Sequence, residues 1–177
     1  MQAAGAPPRQ SRRQLGTGFG GRDQVALFLS TFINKVDGKG RVSVPASFRA
    51  ALAGQEFAGI VVFPAIKAAA LEASGYDRVQ ALSERIDGLP EFSDERAAIS
   101  AIFADTQALP FDGEGRVLLP QALAEHADIT EAAAFVGIGH TFQIWEPERF
   151  KHHQAEMRVR ARNVILPASP AGVGGGR

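Results

Sequence analysis

A nine-residue phrase occurs twice in this chain. DGKGRVSVP at 37–45 returns as DGEGRVLLP at 112–120, identical at Asp, both glycines, Arg, Val and Pro. A repeat limits the possible folds more than composition does, because the architecture must be built from two copies of one unit. The likeness extends past the phrase on both sides. Each copy follows a short apolar stretch, Phe32 to Val36 and Leu109 to Phe111, and each runs into a short helix opening at a proline, Pro45 or Pro120. Proline suits the first helical turn because its missing N–H would have had no partner there. Gly54 can close the first of these helices. GIVVFP at 59–64 and AAFVGIG at 133–139 then read as buried strands. The predicted unit is strand, tight turn, strand, short helix, strand.

Between the copies, Val79, Leu82 and Ile86 recur at helical spacing, as do Ile99, Ile102 and Phe103 behind a Ser93 cap followed by Asp94 and Glu95. Gly75 is expected to break the first segment, and Gly88-Leu89-Pro90 separates the two. TFQIWE at 141–146 reads as a strand, followed by a helix from Pro147 whose Arg158, Arg160 and Arg162 suit its C-terminal end. The expected organisation is a disordered extension over 1–26, a first half-unit over 27–76, connecting helices over 77–106, a second half-unit over 107–150, a C-terminal helix over 151–166 and a disordered tail over 167–177.

The chain has 19 basic and 19 acidic residues, so any nucleic-acid binding must come from uneven placement of charge. Cysteine is absent, which excludes disulfides and thiolate metal sites. No apolar run is long enough to span a bilayer, and the N-terminus has no signal-like apolar region, so a cytoplasmic protein without a membrane partner is expected. GTGFGG at 16–21 follows no predicted strand and reads as linker. Neighbouring His152 and His153 would point apart on a helix, and His126 and His140 are isolated. Glu84, Glu91, Asp94 and Glu95 are accounted for by helix surfaces and caps, and Phe142 and Trp145 by a core or a subunit boundary. No nucleophile elbow, phosphate-binding loop or spaced metal triad is present, so no enzyme, cofactor, metal or small-molecule substrate is expected.

The turn is the distinctive element. Asp-Gly signals a two-residue hairpin turn, Asp37-Gly38 or Asp112-Gly113, and the second glycine, Gly40 or Gly115, lets the backbone approach a neighbour or a ligand. Asp37 and Arg41, like Asp112 and Arg116, are expected to face each other across it. The motif fits a structural hairpin with an ion pair, and it equally fits an arginine placed for phosphate or guanine.

From Leu27 to Arg162 the chain resembles the MraZ family, bacterial transcriptional regulators of the AbrB-like swapped-hairpin class. The resemblance is carried by FLSTFINKVDGKGRVSVPASFRAAL at 28–52, LPFDGEGRVLLPQALAEHADI at 109–129 and VGIGHTFQIWEPERF at 136–150. It implies an α+β fold in which two swapped-hairpin half-units interlock into a pseudo-two-fold β-barrel, with helices between and after them. It also implies a nucleoid-associated protein forming a closed homo-oligomeric ring. That ring would bind double-stranded DNA at promoter direct repeats and regulate the division and cell-wall gene cluster to which the regulator belongs. The competing reading is a ring-forming structural protein that does not bind DNA.

The two turns differ in charge. Lys35, Lys39 and Arg41 against Asp37 leave the first at +2, whereas Arg116 against Asp112 and Glu114 leaves the second at −1. Arg49 adds a cation to the first copy where the second has Ala124. DNA rewards cations, so Lys35, Lys39, Arg41 and Arg49 are the expected DNA contacts. Arg116, with Asp112, Gly113 and Gly115, is expected mainly to hold the second turn, as Asp37, Gly38 and Gly40 hold the first.

Overall fold

The computed structural model describes residues 27–165. The expectations for 1–26, GTGFGG included, and for 167–177 lie outside the described residues. Within them the chain runs β1 (Thr31–Lys35), β2 (Arg41–Ser43), α1 (Ala46–Ala51), β3 (Gly59–Pro64), β4 (Ala70–Ser74), α2 (Tyr76–Asp87) and α3 (Asp94–Ala104). It continues β5 (Gln107–Pro110), β6 (Arg116–Leu118), α4 (Gln121–His126), β7 (Ala132–Gly137), β8 (Phe142–Trp145) and α5 (Pro147–Ile165). The fold is α+β with antiparallel sheets.

Local chemistry explains most of these boundaries. Pro45 and Pro120 stand one residue before α1 and α4 in extended conformation, with ψ of 139° and 143°, so each precedes its helix rather than opening it. Gly54, at φ +90°, turns the chain after α1 in a conformation that an L side chain rarely takes. Ser93 Oγ accepts the Arg96 backbone N–H at 3.2 Å, satisfying one orphan donor at the start of α3. Gly75 does not interrupt a helix as expected. It is the extended residue from which α2 starts, and the segment before it is β4, a strand absent from the sequence reading.

The strands pair across the two copies. The six-stranded sheet has the order β1-β7-β8-β4-β3-β5, and β2 pairs with β6 in a separate ribbon. Exchanging the copies turns the six-stranded order into its own reverse. β1 of the first copy lies on β7 of the second, with Lys35 opposite Ala132, and β5 of the second lies on β3 of the first, with Pro110 opposite Gly59. Two pairs map onto themselves under this exchange, Val42 with Val117 and Glu72 with Gln143. They mark a pseudo-two-fold axis passing through both sheets.

Alternation sorts the side chains by face. Val42, Val117, Phe48, Ile60, Leu71, Phe135, Phe142 and Ile144 are fully buried in one continuous core. At its centre Phe28, Phe48 and Phe142 stand with ring centroids 4.8–5.2 Å apart. A smaller cluster of Ala134, Val136 and Trp145, on the other face of the six-stranded sheet, packs against Phe150 of α5.

The expected pseudo-two-fold β-barrel does not close among the described residues. Among the described residues the ladders stop at β1 and β5, and neither is laddered to the ribbon. Ahead of the turn, β1 diverges to pair with β7, so the two arms of the turn share only the Val36–Val42 bridge. Beyond it, Asn34 Nδ2 donates to the Ser43 carbonyl at 2.7 Å, a side chain standing in for a ladder bond. Leu109, at the equivalent place in the second copy, has no amide to do this.

Candidate nucleic-acid interface

The two turns have one geometry. In the first, Asp37 N–H donates to the Arg41 carbonyl at 2.9 Å and Gly40 N–H to the Asp37 carbonyl at 2.9 Å. In the second, Asp112 and Arg116 make the same bond at 2.8 Å, and Gly115 and Asp112 at 3.0 Å. The positive φ falls on Gly40 (+79°) and Gly115 (+72°), not on Asp-Gly. Each turn is therefore a three-residue loop closed by a left-handed glycine, rather than the two-residue turn expected from the dipeptide. Gly38 and Gly113 have no such requirement.

Each aspartate organises its turn. Asp37 Oδ1 accepts the backbone N–H of Lys39 (2.9 Å) and of Arg41 (3.0 Å), while Oδ2 takes Arg41 Nε (2.8 Å) and Nη2 (2.6 Å). Asp112 repeats this with Glu114 and Arg116. The Arg41 side chain, then its backbone N–H, hold the Asp37 carboxyl down at about 2 against an ordinary 3.8. Asp112 is lowered for related reasons, led by the Arg116 backbone N–H. Arg116 is pushed further toward its charged form, chiefly by Asp112, with Glu114 and Asp37 contributing. Its Nη1 also meets Glu114 Oε2 at 2.7 Å.

The ribbon joins the turns end to end. Arg41 lies opposite Leu118 and Ser43 opposite Arg116, so these four share the outward face while Val42 and Val117 point to the core. Leu118 is 57% exposed. Val44 N–H donates to Gly115 O at 3.1 Å and Leu119 N–H to Gly40 O at 2.9 Å, extending the ribbon by one residue at each end. Arg41 and Arg116 thus occupy the same face, each pinned by its own aspartate.

The remaining expected contacts are placed differently from one another. Lys35 and Lys39 are exposed beside the first turn, and among the described residues neither enters an ion pair. Arg49 does not join them. Its Nε donates to the Val44 carbonyl at 3.2 Å, and its guanidinium lies over Gly115 of the second turn. A Cβ on Gly115 would stand 2.6 Å from Arg49 Cζ and 2.7 Å from Nε, closer than real contacts allow. Away from the ribbon, Trp145 Nε1 donates to Gln143 Oε1 at 2.9 Å and stacks on His153 at 4.7 Å.

The family described as "MraZ protein, putative antitoxin-like" matches residues 102–163. A Gluconacetobacter diazotrophicus protein named transcriptional regulator MraZ is 43% identical over 155 residues, covering 85% of this chain and 98% of the relative. Its namesake in Rickettsia akari is 45% identical over 128 residues, 72% and 86% of the two chains, and that of Rickettsia bellii 44% over 142 residues, 79% and 95%.

Proposed function

Because the chain belongs to the MraZ family, we propose that it regulates transcription by binding double-stranded DNA through the β2–β6 ribbon, with the first turn as its main cationic contact. The observation that carries this is the contrast between the turns. Among the described residues, the first presents two exposed lysines without ion-pair partners beside an arginine oriented by Asp37, while the second spends Arg116 on two carboxylates. Lys39 and Lys35 suit phosphate contacts that are sequence-independent and salt-sensitive. Arg41, held planar on the outward face, suits bidentate contact with a guanine edge. The exchange of strands between the copies is read as the AbrB-like swapped-hairpin arrangement, with the ribbon as its DNA-facing side.

A protein with no net charge needs more than one such site. The proposed assembly is a closed homo-oligomeric ring that engages direct repeats in the promoter of its own division and cell-wall gene cluster, in the cytoplasm and on the nucleoid. Each bound subunit then raises the effective concentration of the next contact. Exposed Ile33, Ile66 and Phe92 and the free edges of β1 and β5 are surfaces such an assembly would cover.

The test is fluorescence anisotropy with the chain's own upstream DNA and a shuffled control, titrated with salt. Sequence-selective binding that weakens with salt, is lost in Arg41→Ala and is weakened on both DNAs in Lys39→Ala is the expected result. Equal affinity for both DNAs, or full binding by Arg41→Ala, would overturn the reading. A stable monomer by light scattering at micromolar concentration would overturn the ring.

A further inference from the structure

Charge counted along the sequence puts Arg49 in the first copy, but the fold delivers it to the second. From α1 of the first half-unit it reaches across to Gly115 and lines a cleft with Asp112 and Gly113. Only a residue without a side chain leaves room for the guanidinium there. We infer that Arg49 is the cation of the second turn, so that each chain grips the DNA backbone at both ends of the ribbon instead of one. This rests on the DNA-binding reading above and adds a second contact to it.

The argument is one of geometry and charge together. Without Arg49 the second turn sums to −1 and would repel phosphate; with it the sum is zero. Both carboxylates there are already engaged, Asp112 by Arg116 Nε at 2.8 Å and Glu114 by Arg116 Nη1 at 2.7 Å. Among the described residues Arg49 enters no ion pair, and its side chain donates only through Nε to Val44 O. Its two terminal nitrogens keep donors for a ligand, and the residue is exposed. At the other end of the ribbon the equivalent position is Ala124, and the cations come from Lys35 and Lys39 instead. The ends are therefore charged from different sources.

Dimensions agree with a straddling contact. Gly40 to Val44 covers four residue steps, about 14 Å at about 3.4 Å per residue. The major groove is about 12 Å wide and admits a two-stranded ribbon. Cations at the two ends of the ribbon would meet phosphates on opposite walls of the groove, with Arg41, Ser43, Arg116 and Leu118 turned toward the bases between them.

The test uses the full chain and the same salt-titrated anisotropy. Arg49→Gln should weaken binding to operator and shuffled DNA alike and lower the salt slope by about one per engaged chain, which near 0.1 M salt is about eightfold in affinity. Arg49→Lys should retain most of both. Glu114→Gln added to Arg49→Gln returns the second turn to zero charge and should recover much of the loss. An unchanged slope in Arg49→Gln, or a loss that Glu114→Gln leaves untouched, would overturn the inference and reduce Arg49 to a brace for the turn. Failure of the parent protein to bind, or full binding by Arg41→Ala, would instead bring down the underlying DNA reading.

Discussion

Replacing the four turn glycines one at a time by alanine separates conformation from space. Gly40 and Gly115 hold φ of +79° and +72°, where an L side chain costs roughly 1–2 kcal/mol. Gly38 and Gly113 are not in that region, and a Cβ on either meets nothing within 4 Å. Gly38→Ala and Gly113→Ala should therefore stay within about 0.5 kcal/mol of the parent. Gly40→Ala should lose roughly 1–2 kcal/mol, a fall in melting temperature of roughly 2–8 °C for a domain of this size. Its Cβ would lie 3.4 Å from the Leu119 carbonyl oxygen, a contact needing little adjustment. Gly115→Ala carries the same conformational cost and also evicts the Arg49 guanidinium. That group is the end of a flexible chain, so its displacement adds little to the stability loss. It should nevertheless reproduce the lowered salt slope of Arg49→Gln. Circular dichroism melts at one protein concentration measure the first effect, since self-association would make the midpoint concentration-dependent; salt-titrated anisotropy measures the second. Equal destabilisation by Gly38→Ala and Gly40→Ala would refute the three-residue turn. A normal salt slope in Gly115→Ala would refute the seat assigned to Arg49.

Asp37 has a lowered carboxyl, so what it contributes to stability is complete above its ordinary 3.8 and lost as pH falls through about 2. A carbon-detected NMR titration should place its midpoint near the lower value, with Arg41→Ala moving it back toward 3.8 and Asp37→Asn flattening the stability change across that window. Phe48→Ala empties the centre of the aromatic cluster and should cost about 3–5 kcal/mol in urea unfolding. Gln143→Glu sets two carboxylates opposite each other and should destabilise by about 1–2 kcal/mol through a lost hydrogen bond and cross-strand repulsion. Adding Glu72→Gln should restore most of it, and a double variant no better than the single would refute the pseudo-symmetric pairing.

The repeat made the unit legible, since Val42 and Val117, Phe48 and Leu123, and Pro45 and Pro120 fall at equivalent places in sequence and in structure. Strand partners were not legible. A period of two says which side chains share a face and says nothing about which strand lies alongside. Hence the local reading joined β1 to β2 as a hairpin, whereas β1 pairs with β7 and β2 with β6. β4 escaped for a different reason. Ala-Leu-Glu-Ala-Ser favours helix by propensity, and only its burial between β3 and β8 makes it a strand. Its counterpart, Phe-Gln-Ile-Trp, shows its alternation openly. In the candidate site, the Asp37–Arg41 and Asp112–Arg116 pairs could be read from spacing alone. The position of Arg49 could not, because α1 meets the second turn only through the exchange of strands. Gly115 was the available clue, a glycine required both by its φ and by the guanidinium above it.

That exchange also explains why the copies had to diverge. A residue on the pseudo-two-fold axis faces its own equivalent, so an exact repeat places identical side chains against each other. Val42 against Val117 tolerates this because two apolar groups in a core attract without regard to sign. Glu72 against its own copy would not, since two half-buried carboxylates directly opposite each other repel. Gln143 resolves the conflict by donating Nε2 to Glu72 Oε1 at 2.6 Å while its Oε1 accepts from Trp145 at 2.9 Å. The turns obey the same logic away from the axis. Repeating Arg49 in the second copy, in place of Ala124, would set a second guanidinium over Gly40 of a turn already carrying +2. One arginine sent across to the acidic turn narrows the difference between the two ends of the ribbon from three charges to two, which a strictly duplicated sequence cannot do.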